Sequence, residues 1–161
     1  FLKIKNYIIY STLKVILKML VESFDQINRC KEFELYTIND REGNLGVIEK
    51  SDNIPFEPKR TYFIYGVPCS SSRGGHAHKR LEQIFFCPKG SCRVKLYDVK
   101  GNQKTFFLNK PNKALYLPNM LWRELDQFSK DTIFVCCASR EYEENDYIRS
   151  RDEFNNFFKN K

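Results

Sequence analysis

The stretch Gln83-Ile84-Phe85-Phe86-Cys87-Pro88-Lys89-Gly90-Ser91-Cys92-Arg93-Val94-Lys95-Leu96-Tyr97 reads as two short apolar runs joined by a sharp reversal. Ring-bearing and β-branched residues suit a pleated, half-buried strand. Pro88-Lys89-Gly90 supplies the restricted and positive φ values that a tight turn needs. Lys100-Gly101-Asn102 repeats the device before Thr105–Leu108. Working outward, strands are expected near Phe33–Ile38, Leu45–Glu49, Thr61–Tyr65, Gln83–Cys87, Ser91–Tyr97, Thr105–Leu108, Ala114–Leu117 and Thr132–Ala138. Short strands at this spacing indicate an all-β sandwich or barrel. A short helix is expected over Asp152–Phe158, and a weakly amphipathic one over Thr12–Asn28. No internal repeat or low-complexity segment interrupts the pattern.

At 161 residues the chain has the size of one ordinary domain. Residues 1–29 carry five basic and two acidic side chains, the remainder twenty-two and eighteen. The body is therefore mildly basic with interspersed signs, which favours an anionic small ligand over a nucleic-acid track. Residues 1–29 are set apart as an N-terminal extension, either non-native or an appended helix, with Met19 a candidate natural start; residues 30–161 form the functional domain. Lys14 and Lys18 break the early apolar run, no small-x-small cleavage site follows, and no stretch is pure enough to cross a bilayer. Six cysteines without a Cys-x-x-Cys pair read as reduced thiols, which suits the cytoplasm, and the adjacent Cys136 and Cys137 should face opposite sides of a strand.

The chemistry concentrates in Arg73-Gly74-Gly75-His76-Ala77-His78, which holds both histidines of the chain. In extended backbone, positions i and i+2 share a face, so both imidazoles should enter the barrel together. Imidazole moves protons near neutral pH. A packing role suits a lone buried histidine better than this pair, which follows a Gly-Gly step and lies beside Arg73, a phosphate-ligand type. A His-x-His strand also suggests a metal, yet the chain has no third histidine, and a catalytic metal normally takes three protein ligands. No metal and no cofactor are expected.

The segments Lys59–Tyr65, Arg73–Gln83, Gly90–Val94, Leu121–Ser129 and Asp146–Arg149 stand in the order and spacing of one family. Over about residues 32–158 the chain resembles the dTDP-4-oxo-6-deoxyglucose 3,4-ketoisomerases. The resemblance implies a cupin double-stranded β-helix (a jelly-roll barrel), a homodimer, and conversion of a dTDP-linked 4-keto-6-deoxysugar to its 3-keto isomer for amino-deoxysugar biosynthesis. It also implies His76 as the catalytic base, His78 as the second acid/base or the group that orients it, and Tyr62 as a relay between O3 and O4. Arg60 and Arg73 are the expected diphosphate ligands, and Gln83 a hydrogen-bonding group for the sugar. Arg123 and Glu42 depart from the pattern where some relatives carry His and where others have Arg or Tyr; both are expected to border the sugar. Arg123 favours a gluco product over a galacto one, and Glu42 weighs against it.

Three other readings share these residues. A 3,5-epimerase would use the same carbon-acid chemistry, and a non-catalytic sugar-nucleotide-binding cupin would bind without turnover. A metal-dependent dioxygenase would need the missing ligand. Phe33–Ile38 is the strand expected to pair across the dimer.

Overall fold

The structure, a computed structural model, describes residues 26–157. In chain order it runs α1 (Gln26–Arg29), β1 (Lys31–Glu34), β2 (Tyr36–Asp40), β3 (Gly43–Val47), β4 (Arg60–Tyr65), β5 (Arg73–His78) and β6 (Gln83–Lys89). There follow β7 (Cys92–Tyr97), β8 (Gln103–Leu108), β9 (Lys113–Leu117), β10 (Trp122–Asp126), β11 (Ile133–Ala138), β12 (Tyr147–Ile148) and α2 (Arg151–Asn156). Two five-stranded antiparallel sheets have the orders β1-β9-β6-β11-β4 and β12-β5-β10-β7-β8. From β4 to β7 the chain alternates between the two sheets, and again from β8 to β11. This is the double-stranded β-helix of a cupin. The hairpin β2–β3 forms a small sheet of its own.

Strand alternation explains the core. Inward positions from both sheets, among them Phe85, Cys87, Val94, Leu96, Leu115, Leu117, Leu125, Phe134 and Cys136, form one cluster. Ile84, Phe86, Ala114, Tyr116 and Cys137, on the outer face of the first sheet, form a second with Leu35 and Ile54. Cys136 and Cys137 thus face opposite sides, and every cysteine is a free thiol. Ala77, Trp122, Ile148 and Phe154 form the third cluster, where α2 covers the second sheet. Ser150 starts α2 by accepting from the Glu153 amide at 3.2 Å.

The expected Phe33–Ile38 strand is two. At Leu35, buried with its amide bonded to Asn112 O at 2.8 Å, β1 leaves its partner β9 and β2 turns to pair with β3. The strand expected at Leu45–Glu49 lies at Gly43–Val47, and β6 continues through Pro88 and Lys89 to a reversal at Gly90, φ +75°. Strands β10 and β12 were not among those expected, and the extended segment expected at His76–His78 is the end of β5, which begins three residues earlier at Arg73. The N-terminal helix expectation lies mostly outside the described residues; within them, α1 seals the barrel with Ile27 in the inner core and Gln26 bonded to Asn119. The C-terminal helix spans Arg151–Asn156, and Phe158 lies outside the described residues. Among the described residues no helix is long and apolar enough to cross a membrane.

Candidate active site

A β-bulge builds the site. Strand β10 pairs with β5 so that Arg123 faces His76 while the next residue, Glu124, faces Gly74, and Gly75 is left over. Leu125 then opposes Arg73. Residues directly opposed share a face, so the extra residue turns Arg73 to the same side as His76, although their odd spacing would separate them in a regular strand. Gly74 is required here: its φ is +87°, and a Cβ would lie 2.6 Å from Arg123 O. The Gly-Gly step is therefore what aims Arg73 and His76 together.

His76 and His78 lie on one face as the i, i+2 rule requires, with ring centroids 5.1 Å apart. His76 Nδ1 is 3.1 Å from Gly74 O. A carbonyl only accepts, so Nδ1 carries the proton and Nε2 is the basic nitrogen. Burial, reinforced by the Arg123 charge, pulls the His76 pKa down to about 4. His78 is fully buried and shifted further in the same direction, again by burial and then Arg123. Both rings are neutral near pH 7. His78 Nδ1 lies 3.2 Å from Asp146 Oδ2, off the line of a well-formed hydrogen bond.

Tyr62 comes from β4, opposite Cys136 of β11, and points inward. Gln83 Nε2 donates to Tyr62 Oη at 3.1 Å and also lies 3.2 Å from Cys136 Sγ. Burial raises the phenol well above its ordinary pKa, so Tyr62 stays protonated at neutral pH. Gln83 Oε1 is buried without a partner.

Arg123 is 1% exposed, and none of its three guanidinium nitrogens has a hydrogen-bond partner. Burial lowers its pKa to about 10, so it stays charged at neutral pH. An unpaired buried cation is costly. It is also a charge pre-placed for an incoming oxyanion.

A cleft of roughly 550 Å³ opens over these groups, lined by Arg60, Tyr62, Ser72, Arg73, His76, Tyr147 and Arg149. Three arginines at its rim suit a diphosphate. A larger hollow, about 750 Å³, lies by Phe63, Tyr65 and Ile133, away from both histidines; its size reflects an open apolar sheet edge rather than convergent polar groups. The structure thus gathers His76, His78, Tyr62, Arg60, Arg73, Gln83 and Arg123. It leaves Glu42 apart, exposed at the β2–β3 turn with its amide bonded to Asp40. Sequence reasoning assigned no role to Asp146, Tyr147 or Arg149. The Tyr147 ring lies 5.1 and 4.3 Å from those of His76 and His78, and Arg149 sits 4.2 Å over Tyr147 while paired with Glu144. Pairing of β12 with β5, Tyr147 against His78, is what brings them in. Among the described residues no three His, Cys, Asp or Glu side chains converge as a metal-ligand set.

Two neutral histidines, a buried phenol and a buried arginine thus converge beneath an arginine-rimmed cleft of the cupin barrel, a set of groups chemically able to move protons on an anion. The family model described as FdtA: WxcM-like, C-terminal, matches residues 28–159, and the chain belongs to that family. A TDP-4-oxo-6-deoxy-alpha-D-glucose-3,4-oxoisomerase from Aneurinibacillus thermoaerophilus is 42% identical over 74% of this chain and 86% of its own. A mutant of the QdtA 3,4-ketoisomerase of Thermoanaerobacterium thermosaccharolyticum, solved with TDP-4-keto-6-deoxyglucose, superposes with a TM-score of 0.76 at 33% identity over 82% of this chain and 95% of its own. The WlaRB TDP-quinovose 3,4-ketoisomerase of Campylobacter jejuni gives 0.74 at 40% identity over 78% and 96%. The chain is a sugar-nucleotide 3,4-ketoisomerase.

Proposed function

We propose that the protein converts dTDP-4-oxo-6-deoxy-D-glucose to its 3-keto isomer through an enediol, with its own side chains and no cofactor. The observation that carries this reading is Arg123: a fully buried guanidinium with no partner, directly across the strand pair from His76. The C4 ketone acidifies the C3 hydrogen. His76 Nε2 takes that proton, the C3–H electrons form the C3=C4 double bond, and negative charge moves to O4, where Arg123 meets it. Tyr62, held by Gln83, passes a proton between O3 and O4, and His78 serves as the second acid/base. C4 then regains a proton as O3 becomes the ketone. Atoms and electrons balance without a redox partner. Arg60 and Arg73 hold the diphosphate, leaving the sugar over the histidines.

The gluco configuration at C4 is the preferred product. It is supported by Arg123 beside the reacting carbons and by the 40% identity to a relative named for TDP-quinovose, a gluco sugar. Free thiols throughout fit the reducing cytoplasm.

The working unit is a homodimer. The hairpin exposes Tyr36, Ile38 and Leu45 on one face, and a two-stranded sheet is marginal alone. Strand β4 ends its sheet with Phe63 and Tyr65 exposed beside Ile133. A second copy covering both surfaces buries them. Glu42, at the hairpin turn, then borders the sugar of the second protomer. Sedimentation of the full chain tests this: a dimer is expected, and a monomer at micromolar concentration sinks it. The chemistry itself is tested by incubation with substrate in D₂O, where a 3-keto product is required.

A further inference from the structure

The geometry points to Asp146 as the positioning residue for His78, holding it in the Nδ1–H tautomer with the Nε2 lone pair free for the sugar. The inference deepens the isomerase reading and rests on it for the role of His78.

Asp146 is 3% exposed and closes the 3₁₀ turn Glu144–Asp146, just before β12. Its place is fixed twice over. The Lys79 amide donates to Asp146 O at 2.9 Å, and Tyr147 pairs with His78. Asp146 Oδ1 accepts from the Arg80 amide at 2.9 Å and Arg80 Nε at 3.4 Å, and Oδ2 accepts from the Leu81 amide at 3.2 Å. The carboxylate is thus held in the interior by three donors. Oδ2 also stands 3.2 Å from His78 Nδ1.

A carboxylate accepts and cannot donate, so this contact is favourable only when Nδ1 carries the hydrogen. Neither ring nitrogen of His78 makes a formed hydrogen bond: Nδ1 faces the Asp146 carboxylate off-line, and Nε2, on the far edge of the ring, is buried with no partner. His76 is set by the Gly74 carbonyl in the same way, so both imidazoles present Nε2 as the unprotonated nitrogen. The two anchors differ in charge. Gly74 O is a neutral dipole that leaves the resting His76 ring a free base, whereas the Asp146 carboxylate can stabilise the imidazolium formed when His78 takes a proton from a sugar hydroxyl.

Asp146 also shapes the Lys79–Glu82 turn, so loss of activity alone would not separate orientation from architecture. The decisive readout is the tautomer. With two histidines in the chain, a two-bond ¹⁵N–¹H correlation spectrum of the uniformly labelled full chain resolves both rings. The expected wild-type result is a protonated Nδ1 and an unprotonated Nε2 at His78. In Asp146→Asn, an amide N–H facing Nδ1 should move the hydrogen to Nε2, with kcat down about 100-fold and KM held within about 3-fold. A wild-type His78 carrying its hydrogen on Nε2 overturns the assignment, as does D146N with tautomer and kcat unchanged. If D146N does not fold, the wild-type spectrum decides alone. The spectrum is taken without substrate, so wild-type protein that shows the Nδ1–H tautomer but no turnover would end the isomerase reading and leave the Asp146 assignment in place.

Discussion

Gln83 Nε2 donates to Tyr62 Oη at 3.1 Å, joining β6 to β4 over the intervening strand β11 on the inner face of one sheet. The phenol oxygen is an acceptor in that bond, so its own hydrogen is available to another group. Tyr62→Phe keeps the ring that packs against the core and removes the relay. The expected outcome is a fall in kcat of about 100-fold with little change in KM, read by steady-state kinetics, with stability lowered by about 1 kcal/mol for the lost Gln83 hydrogen bond. A Y62F enzyme at full speed would remove Tyr62 from the proton path.

Arg123 trades stability for activity. Replacing a buried unpaired guanidinium by Met removes its desolvation cost, so Arg123→Met should be more stable than the parent by roughly 1–4 kcal/mol in urea unfolding. The same change should lower kcat by about 100-fold or more, as loss of an oxyanion donor does. A variant that is both less stable and fully active would contradict the placement of the charge.

Acidity bears on the histidines through their lowered pKa values. His76 titrates near 4 in the folded protein and near its ordinary 6.5 when unfolded. Below pH 6.5 the unfolded chain binds a proton that the folded one refuses, so stability falls as pH drops from 6.5 toward 4, by on the order of 3 kcal/mol. His78 adds to the fall in the same direction. Urea unfolding at pH 7 and pH 4.5 should show the loss, and H76N/H78N should lack most of it. In parallel, kcat/KM reports the free enzyme and should stay flat down to about pH 5 instead of falling through 6.5.

Gly74→Ala places a methyl 2.6 Å from Arg123 O at a positive φ. Backbone must shift, since the clash is with backbone. The bulge that aligns Arg73 and His76 should relax, costing roughly 1–3 kcal/mol in urea unfolding and most of the activity. Gly75→Ala has open space around its Cβ and carries the φ penalty alone, so it should be the milder change in stability.

The strands of the inner core were legible because their alternation is clean: Phe85 and Cys87 inward, Ile84 and Phe86 outward. Strand β10 escaped notice because Arg123 occupies an inward position, which breaks the apolar alternation. The end of β5 was legible at His76 and His78, but its start at Arg73 was not, because Gly74 and Gly75 carry no side-chain alternation and serve as a bulge. The His-x-His pair announced itself, as did Tyr62 and the arginines through the family resemblance. Asp146 did not, since its relation to His78 depends on a two-residue strand, β12, too short to carry any periodicity. Position 35 shows the converse: a continuous strand-like segment, Phe33–Ile38, concealed a change of partner that only the fold reveals.

The most direct test of the central claim is to incubate the purified protein with dTDP-4-oxo-6-deoxyglucose in D₂O, without added metal, and follow the sugar by NMR. The expected result is a 3-keto product with deuterium at C4 in the gluco configuration. Deuterium at C5 with inversion there, or binding with no change in the sugar, would contradict it.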